Sequence, residues 1–399
     1  MTLLDVMGTE DTHYARYYAR KPVTIVRGTG ALLYDDNGRE YVDCTGAYGA
    51  CIVGHAHPKV AQAISDQAKK LIACHGSTYN DARALFVSKL STMLPAGLNR
   101  VFLGNSGAEA VECAIKIVRK STGRRKIVAV KGAFHGKTHG ALSATWDAKY
   151  RKNFEPLLPD FSHIPFDNSE AAKESITNDT AAVFVEPIQG EGGIRVPSKE
   201  WVGLLGDLIH DAGGLLVADE IQTGFGRTGK MFACEHSGVK PDILCLGKGI
   251  ASGLPIGITA AAEGLISALS VGEHTTTFGG NPVVCAAGSA TIDVLLEEGL
   301  VDNAAKVGEY FSTGLLGLKE KRRIIREVRG LGLMLAVEMR FDVHQMILDA
   351  LNEGVLLLDA GRNVLRFLPP LCIQPGQVER VLNVLAAILE KEELAKLPS

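Results

Sequence analysis

Two charged residues stand where apolar runs end. Asp219 closes GGLLVAD, and Lys248 follows PDILCLG 29 residues later. Lys248 lies between Gly247 and Gly249, and an amine in so apolar a setting is driven toward its neutral, carbonyl-attacking form. A third feature lies upstream. FLGNSGAEAV passes from an apolar run through a Gly-Asn-Ser-Gly turn into a helical pattern. The amides of Ser106, Gly107 and Ala108 then sit at the positive end of a helix dipole, which suits a phosphate; an ordinary N-cap is the other reading of the stretch. A lysine, a buried acid and a phosphate cradle together suggest pyridoxal phosphate. Lys248 would hold the aldehyde as a Schiff base and move the proton, and Asp219 would keep the pyridine nitrogen protonated so that the ring draws electrons.

A competing phosphate motif is GFGRTGK, Gly224–Lys230. It fits both G-x-G-x-x-G and the start of a Walker A loop. The Walker reading needs Ser or Thr after the lysine to reach Mg²⁺, and the residue is Met231. The dinucleotide reading needs a helix to open directly after the glycines, and KMFACEHSG has no helical apolar stripe. A glycine-permitted surface or interface turn is the better expectation.

Composition narrows the class. The chain has 399 residues, 46% hydrophobic and 22% charged, with a formal net charge of −3. That allows a large core and offers no basic block for nucleic acid. No apolar run nears the ~18 residues of a membrane span, and the first residues lack the apolar core of a signal peptide. Eight cysteines are scattered without a C-x-x-C pair, as expected of reduced thiols in a cytoplasmic protein. The only tight histidine pair, His55-Ala-His57, reads as a turn in GHAHP, so no metal site is expected.

The elements that must position these groups follow from patterning. Short apolar runs at 101–103, 127–130, 182–185, 215–218, 243–246 and 256–261 alternate with helical stretches, the signature of a mostly parallel, doubly wound α/β sheet. Val111, Ala114, Ile115 and Val118 form an apolar stripe, with Asn105 or Ser106 as cap and Arg119 and Lys120 in the last turn. Residues 23–43 read as a hairpin turning at Asn37-Gly38. Beyond about residue 290 the pattern suggests a smaller α+β unit.

From about Pro22 to Pro370 the chain resembles the class III, or ω-amino acid, aminotransferases. The block LLVADEIQTGFGRTGKMFACEHSGVKPDILCLGKGIASGLPIG carries the resemblance, with GHAHPKV, NSGAEA, AFHGKTHGALSAT, VEPIQGEGG and TTTFGGNP. It implies fold type I, with a mostly parallel seven-stranded doubly wound sheet in a large domain and a small α+β domain drawn from both termini. The implied divisions are 1–48 as an N-terminal part of the small domain, 49–289 as the cofactor-binding domain and 290–399 as the C-terminal small domain. It also implies a homodimer or dimer of dimers with active sites at the interface.

Matched residue by residue, the resemblance makes Lys248 the Schiff-base lysine and Asp219 the partner of the pyridine nitrogen. Gln222 lies near the phenolic oxygen, Ile221 beside the ring, and Phe134, with His135 next to it, on the ring's other face. Thr277 reaches the phosphate from the neighbouring subunit. Glu186 and Glu191 match the two active-site glutamates. Glu191 pairs with Arg366 as a gate that frees the arginine for the α-carboxylate of 2-oxoglutarate or glutamate, by a bidentate contact. The donor stays open. Lys137 stands where acetylornithine and 4-aminobutyrate members carry arginine, a change from planar fork to point charge that resembles the putrescine enzymes. Tyr18 and Tyr48 instead match tyrosines of the ornithine enzymes. A terminal-amine donor of the putrescine or ornithine type, with 2-oxoglutarate as acceptor, is the expectation. Racemases, epimerases and an aminomutase share the apparatus without needing a keto acid.

Overall fold

The computed structural model describes residues 5–397. Its fifteen strands, in chain order, are β1 Ile25–Thr29, β2 Leu32–Asp35, β3 Glu40–Asp43, β4 Arg100–Gly104, β5 Lys126–Val130, β6 Phe161–Ile164, β7 Thr180–Val185, β8 Leu215–Asp219, β9 Ile243–Gly247, β10 Gly257–Ala261, β11 Ile325–Leu331, β12 Met334–Met339, β13 Val355–Leu356, β14 Leu358–Asp359 and β15 Val364–Phe367. Seven of them form the central sheet, in the order β4-β10-β9-β8-β7-β5-β6. Only β10 runs against its neighbours. Strands β7, β9 and β10 are buried at every position, which is why they read as continuous apolar runs.

This order places the chemistry. β9, β8, β7 and β5 are successive neighbours, and β4, antiparallel to β10, points the same way as they do. The carboxyl ends of five strands therefore open on one edge, where ligands of such sheets gather. The helix Gly107–Thr122 leaves β4 with Ser106 as its cap, the Ser106 Oγ accepting from the Glu109 amide at 3.2 Å. Its expected stripe of Val111, Ala114, Ile115 and Val118 is buried. The helix closes at Gly123, whose φ of +68° suits a residue without a β-carbon.

Two smaller four-stranded sheets flank the large one, β1-β2-β3-β13 and β11-β12-β15-β14. The expected hairpin at 23–43 is a three-stranded meander, because Gly30, with φ of +54°, turns the chain once before Gly38 does. β13 pairs in parallel with β3, so the first and last parts of the chain share a sheet. No helix among the described residues is long and apolar enough to cross a membrane, and all eight cysteines are unpaired.

Candidate active site

Lys248, Asp219 and Glu186 follow or end β9, β8 and β7, and Phe134 and His135 lie in the turn beyond β5. Neighbouring strands thus deliver these residues to one cavity of about 240 Å³, which Gly107, Ala108, Gly136, Glu191, Ile221 and Gln222 also line.

Lys248 begins directly at the end of β9, with φ of +45°. A non-glycine residue in the left-handed region is strained, and such strain concentrates at functional sites. Burial pulls the Lys248 amine below its ordinary value. The charges of Glu191, Asp219 and Glu186 oppose this, and that of Arg366 adds to it. The net direction favours the neutral nucleophile.

Asp219 is fixed on both oxygens. Its Oδ2 lies 2.7 Å from His135 Nδ1, and its Oδ1 accepts from the Ile221 amide at 3.1 Å. Glu186 is likewise occupied, accepting from the amides of Phe134 at 2.8 Å and Gly190 at 2.9 Å. Burial pushes its carboxyl up to about 7, with Asp219 adding and His135 and the two amides opposing.

Across the cavity, β15 presents Arg366, 1% exposed. Its Nη1 donates to Glu191 Oε1 at 2.5 Å and its Nη2 to Oε2 at 3.4 Å, a fork on one carboxylate. Burial raises the Glu191 carboxyl, but Arg366, with Lys248 and Gln222 adding, more than reverses that, so the net direction is down. The Arg366 guanidinium lies 5.4 Å from the centre of the Tyr48 ring. Tyr48 and Ala47 both have positive φ, 58° and 51°, so the backbone is strained where it brings this ring over the arginine.

The remaining expected residues lie outside the lining of this cavity. Ser106 serves as the helix cap. Lys137 is exposed, its Nζ 5.3 Å from the ring of Tyr150. Tyr18 is 67% exposed and stacks on Tyr14. Thr277 is exposed on the segment before Asn281. Tyr150, which meets Phe134 edge-on at 5.4 Å, and Gly136, a lining residue, were not singled out from sequence. Gly136 was visible in the AFHG block, whereas Tyr150 had no local signal. The GHAHP histidines go separate ways, His55 to Asp43 at 2.7 Å and His57 to Glu298 at 2.9 Å.

The glycine turn is neither at the surface nor a phosphate cradle. Phe225 and Arg227 are buried, and Arg227 Nη1 donates to the carbonyls of Leu333, at 3.1 Å, and Pro369. Gly226 and Gly229, with φ of +92° and +81°, press against Val301 and Ala305 of the helix Leu300–Lys321. Gly226 and Gly229 serve close packing within the chain.

The cavity can be tested for pyridoxal phosphate on its own atoms. A β-carbon on Gly107 would stand 2.7 Å from Ile221 Cδ1, and one on Gly136 would stand 2.8 Å from Ala108 Cβ. The floor by the helix start is therefore bare backbone, with first-turn amides available to an anion. The buried Gln222 Oε1 and His135 Nε2 have no partner, and buried polar atoms normally have one. An acid, a neutral-leaning amine and an anion site around one cavity fit the group.

Comparison with known proteins agrees. The family described as Aminotransferase class-III matches residues 13–389. An acetylornithine aminotransferase of Methanopyrus kandleri is 42% identical over 388 residues, covering 97% of this chain and 99% of that one. A [LysW]-aminoadipate semialdehyde transaminase of Deinococcus radiodurans is 42% identical, covering 96% and 90%. Among solved structures, an ornithine aminotransferase of Toxoplasma gondii, with partial occupancy of PLP at its active site, superposes with a TM-score of 0.94 at 34% identity, over 98% and 95% of the two chains. The chain belongs to the class III aminotransferases and is a transaminase.

Proposed function

We propose that the enzyme moves the terminal amino group of an ω-amino acid of the ornithine or acetylornithine type to 2-oxoglutarate, by a ping-pong mechanism with pyridoxal phosphate. The observation that carries this is the buried Arg366 forked onto Glu191 beside Lys248. A masked guanidinium lets an unbranched amine enter first, and it binds an α-carboxylate once the glutamate swings away. A racemase would have no use for such a device.

Bound pyridoxal phosphate supplies an aldehyde to take up the amine and a ring to spread the charge left by proton removal. The chain supplies the rest. Lys248 would move the proton, Asp219 would hold positive charge at the ring nitrogen, Phe134 and Ile221 would line the ring's site, and the amides at Gly107 and Ala108 would receive the phosphate. Named relatives acting on acetylornithine and aminoadipate semialdehyde support a donor with a carboxylate at its far end. Lys137 in place of arginine favours putrescine as a second reading.

The dimeric state is part of the proposal. A groove of about 1050 Å³ runs between residues 75–84 and 271–279, with Tyr79 and Val271 fully exposed on it. A second copy covering this groove, which Thr275 and Thr276 line, would bring the exposed Thr277 beside them to a subunit interface, where the resemblance puts it against a phosphate. Sedimentation of the purified protein as a monomer would overturn this part.

The functional test is a half-reaction screen. Ornithine, acetylornithine, putrescine, cadaverine and 4-aminobutyrate are each added to the yellow holoenzyme, and bleaching is followed. The absorption should return with 2-oxoglutarate. Preference for 4-aminobutyrate would overturn the donor reading, and turnover without a keto acid would overturn transamination by this route. Lys248→Ala should form no borohydride-reducible adduct.

A further inference from the structure

We propose that Glu186 is a positioning residue, a latch that holds the loop carrying Glu191 shut against Arg366. Glu186 emerges from β7, 6% exposed, and each of its oxygens accepts one backbone amide, Phe134 on one side and Gly190 on the other. Gly190 immediately precedes Glu191. The carboxylate therefore ties the turn under Phe134 to the loop whose next residue covers the arginine.

The rest of that loop shows what the latch works against. Its base is closed by two bonds between Gln189 and Arg195, at 3.0 and 3.1 Å. Arg329 Nε donates to the Gly193 carbonyl at 2.8 Å. Between these ties Ile194 has a φ of +55°, a conformation that a β-branched residue adopts only under constraint. A strained loop held at its base and at Gly190 is poised to move when one tie is released.

The latch is also sensitive to protonation. The titratable groups that face Glu186 are His135, Asp219 and Lys248. Burial, with Asp219 adding, brings its carboxyl to about 7 against the opposing charge of His135. An ionised carboxylate accepts an amide hydrogen bond more strongly than a neutral carboxyl does. Mild acid therefore loosens the tie at Gly190, and Arg366 is uncovered more readily.

This rests on the reading of Glu191 and Arg366 as a gate, and Glu186→Gln holoenzyme tests it. Glutamine keeps the size but turns an amide donor toward one of the two backbone N–H groups, so one tie is lost. The KM for 2-oxoglutarate should fall, and the rate with glutamate as amino donor should rise relative to ornithine, by roughly tenfold. In the native enzyme that ratio should climb as pH drops through about 7, and in the variant it should be flat. Hydrogen exchange at the Gly190 amide should quicken in the variant, a readout independent of turnover. Glu186→Asp, too short to reach both amides, should move in the same direction. An unchanged ratio with unchanged exchange would overturn the latch, as would an equal slowing of both half-reactions. If Arg366→Gln leaves the KM for 2-oxoglutarate unaltered, the gate reading fails instead, and exchange at Gly190 still judges the latch.

Discussion

His135 Nδ1 stands 2.7 Å from Asp219 Oδ2, with both side chains closed off from solvent. The Ile221 amide holds the other oxygen, so the acid is aimed from two sides. Asp219→Asn keeps the shape and removes the charge, and turnover is expected to fall about a thousandfold. His135→Asn removes only the aim and should cost roughly tenfold to a hundredfold. Steady-state kinetics at saturating cofactor separate the two. Equal losses would assign the chemistry to His135 itself.

The same pair gives a pH dependence of stability. Burial alone would lower the His135 imidazole, but the hydrogen bond and charge of Asp219, with Glu186 adding, outweigh it and raise it. A histidine raised by folding stabilises fully below its unfolded value of ~6.5, and that contribution is lost as pH rises through the folded value. Glu186 acts in the same sense, favourable below its ordinary 4.5 and losing that benefit as pH rises through about 7. Denaturant midpoints of the cofactor-free protein should decline from about pH 5 through about pH 7 as Glu186 ionises, and on above ~6.5 as His135 loses its proton, and His135→Gln should flatten the decline. A midpoint that rises over this interval would contradict the linkage.

The turn at Gly224–Lys230 has a structural test. At Gly229 a β-carbon would stand 3.0 Å from Ala305 Cα, a backbone atom that cannot swing aside, and φ is +81°. Strain and overpacking together put Gly229→Ala about 2–4 kcal/mol below the parent in stability. Cofactor absorption should be retained at low temperature, since the turn lies outside the cavity lining. Loss of the absorption in a protein that still melts normally would return this turn to a binding role.

The sequence exposed what is continuous along the chain. Asp219 and Lys248 were legible because apolar strands end at them, and Gly107 because a strand, a turn and a striped helix follow one another. β6 was not, since FSHI is short, half polar and only partly buried at the sheet's edge. The partner of His135 lies 84 residues away, a contact that pairing of β5, β7 and β8 creates and no local pattern announces. Glu186 was found by resemblance. Its attachment to two backbone amides needed coordinates, because an acid beside a proline looks the same whether it touches substrate or holds a loop.

Glu191→Gln tests the fork on Arg366 through the chemistry of Lys248. The substitution leaves a buried guanidinium without its counter-charge, and it removes the largest influence that raises the Lys248 amine against burial. Two results follow with defined sign. The KM for 2-oxoglutarate should fall, because the arginine no longer has to be uncovered before it meets a carboxylate. The amine of Lys248 should titrate lower than in the native protein, so the acid limb of the rate profile for the ornithine half-reaction should move to lower pH. Spectrophotometric half-reactions across pH measure both. If the KM rises instead, Glu191 is contributing to acceptor binding rather than masking its site.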